Sequence, residues 1–125
     1  MKSFQRLNFV LLALLFSSFA SAAEISLKTN EIETLLNGNT AYGVHFKERT
    51  TQYFSTSGLT IWIKEGDASP SEGKWKAKND HYCSDFGGGE NCYQVAEDKD
   101  QGIYYFLSDD FRAPFIIKSG FRLSN

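Results

Sequence analysis

Two cysteines and two histidines carry the most reactive side chains of this 125-residue chain. Cys83 and Cys92 flank a loop that contains Gly87-Gly88-Gly89. A redox pair usually takes the C-x-x-C form, which this spacing does not. A zinc site needs two further ligands, and only His45 and His81 remain, far apart in sequence. The chemistry expected of the pair is therefore a structural disulfide. Closing a ring of about 10 residues is worth roughly 2.5–3 kcal/mol in the chain-entropy model.

Other catalytic patterns are missing their parts. There is no G-x-S-x-G nucleophile elbow. Fifteen acidic residues are present, but runs such as Glu97-Asp98-Lys99-Asp100 and Asp109-Asp110 read as solvated loops rather than as a carboxylate pair across a cleft. Asp98-Lys99-Asp100-Gln101-Gly102 departs from a calcium loop, because its Gly comes one position early and no Glu closes the twelfth place. Gly87-Gly88-Gly89 lacks the Lys-Ser/Thr of a phosphate loop and reads as a hairpin tip. No catalytic residue, metal site or cofactor is assigned on these grounds.

Residues 1–22 have the build of a secretory leader. Lys2 and Arg6 precede the apolar run Phe9–Phe16, and Ala20-Ser21-Ala22 offers a cut after 22, or after 23. The run is far shorter than the roughly 20 residues of a membrane-spanning helix. Residues 23–125 are then one exported domain with no membrane span, in the periplasm or outside the cell, where an oxidised cysteine pair is expected. The formal charge is −2 before the leader's two cations are removed, which argues against a nucleic-acid partner.

The elements that must position any site are mostly strands. Asn30-Glu31-Ile32-Glu33 resembles a capping box, with Ile32, Leu35 and Leu36 as one apolar stripe and Gly38 past the helix end. From Ala41 onward the pattern alternates. Tyr42, Val44 and Phe46 share one strand face, Leu59, Ile61 and Ile63 another, with Trp62 opposite them. Lys74-Trp75-Lys76-Ala77-Lys78 has a Trp face and a Lys face, and Pro70 and Pro114 are placed in loops. Seven to eight short strands with frequent turn signals predict a mainly β fold, a small antiparallel barrel or strongly curved sheet, with one short N-terminal helix that could plug or cover an end.

In order along the chain, Leu35-Leu36-Asn37-Gly38-Asn39-Thr40, Tyr53-Phe54-Ser55-Thr56-Ser57-Gly58, Gly73-Lys74-Trp75, and Cys83 with Cys92-Tyr93 form a layout. It resembles a family of small exported bacterial proteins of uncharacterised function. The resemblance implies a small β-rich domain and no reaction.

Function is accordingly expected to be non-enzymatic binding. One reading is a small apolar ligand held at a barrel mouth, with Trp62 and Tyr105 as candidate ligand-facing aromatics. The alternative is an inhibitor or immunity protein against an exported cell-wall hydrolase. It would use the pinned loop with Asp85, Phe86 and Glu90. A small hydrolase is the third reading.

Overall fold

The computed structural model describes residues 24–123; the leader expected over residues 1–22 lies outside them. A short strand β1 (Glu24–Ser26) precedes helix α1 (Thr29–Leu36). Eight strands follow as β2 (Asn39–His45), β3 (Glu48–Phe54), β4 (Leu59–Lys64), β5 (Ser71–Lys78), β6 (His81–Asp85), β7 (Glu90–Asp98), β8 (Ile103–Ser108) and β9 (Phe111–Ser119). Each of the eight pairs antiparallel with the next, and β9 returns to β2 with Gly43 opposite Phe115 and Ala41 opposite Ile117. The result is a closed eight-stranded meander barrel, one of the two antiparallel architectures that the turn spacing allows. β1 adds to the free edge of β7, with Ile25 opposite Glu97. Among the described residues no helix is long and apolar enough to cross a membrane.

Closure brings backbones close together. A Cβ on Gly43 would stand 2.8 Å from the Pro114 carbonyl oxygen and 3.2 Å from the Phe115 Cβ. Glycine is therefore required where β2 meets β9. Pro114 lies within β9 rather than in a loop. It is tolerated because it falls one residue beyond the β2–β9 register, where β9 keeps only β8 as a neighbour and a missing N–H costs least.

Helix α1 plugs one end of the barrel. Ile32 and Leu36 are fully buried against a core that includes Phe54, Trp75, Tyr82, Val95 and Phe106. Burial of each such aliphatic side chain stabilises by about 1.5–3 kcal/mol. The helix begins two residues earlier than the capping-box pattern places it. Lys28 is the N-cap residue, and its amide donates to the Glu31 carboxylate at 2.9 Å. Asn30 is inside the first turn, and its carbonyl accepts from the Thr34 hydroxyl. The start is fixed instead by a tertiary tie. The Thr29 amide and hydroxyl both donate to the Asp80 carboxylate (2.9 and 3.1 Å), and the Asp80 amide returns a bond to the Thr29 hydroxyl (2.7 Å). Gly38, at φ +76°, turns the chain out of the helix and donates to the Phe54 carbonyl.

The disulfide Cys83–Cys92 joins directly paired residues of β6 and β7, with Cα atoms 4.0 Å apart. It lies on the outer wall beside Glu90, which pairs with Lys76 and Lys78.

Two stability outcomes follow. Gly43→Ala should destabilise the barrel by about 1–3 kcal/mol, the range for forced overpacking, read as a lowered urea midpoint with unchanged slope. Reduction of Cys83–Cys92 should cost about 2.5–3 kcal/mol, read by melting with and without a thiol reductant.

Candidate functional site

The end of the barrel opposite α1 is open. Strand polarity brings four connections there: Phe46-Lys47, the segment 65–70, the Gly-rich loop after Asp85, and Asp109-Asp110. Between them lies a cavity of about 520 Å³, within the 300–1,000 Å³ typical of small-molecule sites.

Strand alternation decides which residues face it. Gln52 lines the cavity from β3 and Trp62 from β4. Tyr82 and Ser84 come from β6, Tyr93 and Asn91 from β7, Phe106 and Ser108 from β8, and Phe111 from β9. His45, Phe46, Ser71 and Phe86 complete the rim. No Lys, Arg, Asp or Glu is among the lining residues.

The floor is a polar layer across an apolar barrel. Gln52 is only 6% exposed. Its amide Nε2 donates to Thr60 Oγ1 at 2.9 Å and to the Tyr82 hydroxyl at 2.8 Å. The Thr60 hydroxyl itself donates to the Tyr53 carbonyl at 2.8 Å, so toward Gln52 it can only accept. That fixes the amide orientation: nitrogen toward Thr60, oxygen elsewhere. Burial pushes the Tyr82 phenol up to about 12, so it stays protonated at every physiological pH.

The rim is aromatic. The His45 ring lies 5.2 Å from Phe111, edge-on, and 6.0 Å from Trp62. Phe46 lies 5.7 Å from Phe111 and is 82% exposed. Phe46 and Lys47 both have positive φ (49° and 71°), a hairpin geometry that favours Asn or Gly. The turn at the plugged end, Asn79-Asp80, uses the favoured residue types for the same geometry (52° and 61°). The mouth thus keeps a large aromatic where local propensity opposes it. Sequence alternation runs Phe46 on with Tyr42 and Val44, but β2 ends at His45 and the turn carries Phe46 off that face.

The sequence-selected residues divide. Trp62 lines the mouth. Tyr105 does not join it: it lies on the outer surface of β8, beneath the Arg112 guanidinium at 3.9 Å, while its neighbour Phe106 points inward. Arg112 is held in turn by the Glu24 carboxylate of β1. Phe86 reaches the rim by folding over Gly73, where a Cβ would meet its ring at 2.7 Å. This gives the Gly73-Lys74-Trp75 pattern a physical meaning, since Gly73 makes room for Phe86 and Trp75 fills the core two residues on. Asp85 and Glu90 are engaged within the chain. The Asp85 carboxylate accepts from the Gly87 and Gly89 amides, and Lys78 and Lys76 hold the Glu90 carboxyl below its ordinary range. Cys83, Cys92 and Glu90 lie together, but the sulfurs are bonded to each other and offer no thiolate to a metal. His45 and His81 sit at opposite ends of the barrel. Gln52 was legible only as a polar residue on the face shared by Thr50 and Phe54.

No family model, curated protein or solved structure matches the chain.

Burial lowers the His45 pKa from its ordinary 6.5, so the ring is neutral at pH 7. The unfolded chain takes up this proton more readily than the native one. His45 therefore contributes stability that is complete above pH 6.5 and is lost as pH falls toward the depressed native value. Melting wild type and His45→Gln near neutral pH and near pH 5 should show a smaller acid loss in the variant.

Proposed function

We propose that this protein is an exported, non-enzymatic barrel that binds a small, mainly apolar molecule in its open end. The observation that carries the reading is the cavity of about 520 Å³, walled by aromatic rings and floored by a buried polar layer. Filling both ends with side chains would be the cheaper way to build a barrel core. Instead one end is packed with Ile32, Leu36, Phe54 and Trp75, and the other is left hollow. Exposed Phe46 and Phe86 at its entrance give an incoming apolar molecule surface to meet. The disulfide supports an oxidising compartment, and the leader pattern supports export. Membership of the family of small exported bacterial proteins belongs to this proposal too and rests on the order of the motifs.

Inhibition of an exported hydrolase is the second reading. It is favoured by the same exposed Phe86 on a disulfide-pinned hairpin. Both acids of that loop are already committed to partners inside the chain, which leaves the aromatic alone to recognise an enzyme.

The test uses N-phenyl-1-naphthylamine, a neutral probe whose fluorescence rises in apolar surroundings. It should bind the oxidised protein with one-to-one stoichiometry. Ser71→Trp places a large ring at the rim opposite Trp62 and should weaken binding roughly tenfold without lowering the melting temperature. Equal binding by the variant would place the probe elsewhere and remove the support for this reading.

A further inference from the structure

We infer that the ligand of the open end is a neutral, ring-bearing molecule that enters with an N–H or O–H donor leading and delivers it to the Gln52 carbonyl oxygen. This deepens the binding reading above and rests on it.

The donor requirement comes from the floor. Both Nε2 hydrogens of Gln52 are committed, one to Thr60 and one to Tyr82. The Thr60 bond to the Tyr53 carbonyl prevents the amide from being turned the other way. Among the described residues nothing donates to Gln52 Oε1, and no buried side-chain oxygen or nitrogen of the fold is left sealed off without a partner. Gln52 lines the cavity, so its oxygen is the acceptor presented to whatever enters. An accessible amide oxygen at a cavity floor is a costly group to cover with a hydrocarbon and a favourable one to pair with a donor.

Charge selects next. The lining carries no cation to receive a carboxylate or phosphate, and His45, the one titratable ring at the rim, is neutral at pH 7. An anion would also meet an acceptor on the floor. A fatty acid or other anionic amphiphile would have only neutral donors such as Ser84, Asn91 and Ser108 and no opposite charge, so its desolvation is poorly offset.

Shape selects last. The walls are faces and edges of rings, with Tyr82 and Tyr93 nearly parallel at 6.1 Å and His45 edge-on to Phe111. Flat rings gain from offset and edge contacts here that a flexible chain does not. Phenolic and indolic molecules fit all three conditions.

The experiment is competition against N-phenyl-1-naphthylamine with matched pairs: indole against indene, and phenol against toluene, with benzoate and decanoate as anions. Within each pair shape is kept and the donor is removed. Indole should displace the probe roughly tenfold better than indene, phenol should exceed toluene in the same sense, and the anions should be the weakest. Gln52→Leu should bring indole and indene together. The wild-type pairs carry the test by themselves if that variant does not fold. Equal displacement by indole and indene overturns the donor inference while leaving the cavity as a site. Stronger displacement by decanoate or benzoate overturns the ligand class. A probe that does not bind, or binds equally to Ser71→Trp, removes the site reading and this inference with it.

Discussion

Closure of β9 onto β2 is the constraint on which the molecule depends. An open sheet of this length would leave two unpaired edges and no enclosed volume. Closure removes the main edges, creates an inside, and makes strand alternation a choice between core and solvent. It is eased by Gly43, which lets the Pro114–Phe115 backbone approach within contact of β2. The C-terminal segment reinforces the seam from outside. The Thr40 hydroxyl donates to the Gly120 carbonyl and accepts from the Arg122 amide, and Phe121 packs edge-on against Tyr53 at 4.8 Å.

Once closed, the barrel is divided by its contents. Below the Gln52–Tyr82–Thr60 layer the interior is filled by α1 and the rings of Phe54 and Trp75. Phe54 meets both Trp75 and Tyr82 edge-on, at 5.5 and 5.6 Å. Above the layer the aromatic walls continue but nothing fills the space between them. A polar layer at this height costs stability compared with an all-apolar stack, and each of its bonds must be made for the cost to be offset. The layer lies at the boundary between packed core and cavity, where Gln52 and Tyr82 line the open end.

Individual residues mark how far reading along the chain could reach. The Trp face and Lys face of β5 follow from alternation alone, and the structure has Trp75 buried between exposed Lys74 and Lys76. Asn30 looked like a helix cap because its neighbours have the right types. The competing tie from Thr29 to Asp80, fifty-one positions away, sets the boundary instead. Pro114 looked like a loop residue because proline breaks ladders, but a strand with one neighbour at that point has no ladder to break on the other side. Tyr105 looked like a partner for Trp62 because both are aromatics in apolar strands. Their parity around the barrel puts one inside and one outside, and parity between strands far apart in sequence is set only by closure.

The sequence by itself determined the β class, the antiparallel meander, the plug helix and the disulfide. Each of these depends on interactions between near neighbours: alternation, turn residues, an apolar stripe, and two cysteines across one hairpin. The tertiary structure alone decided that the sheet closes, which end α1 occupies, and that Gln52, Tyr82 and Thr60 meet in a single layer. Those facts depend on the register of strands up to eighty positions apart, and no local pattern encodes a sum of registers. The chemistry of the open end therefore emerges only once the eight strands have been wound into one ring.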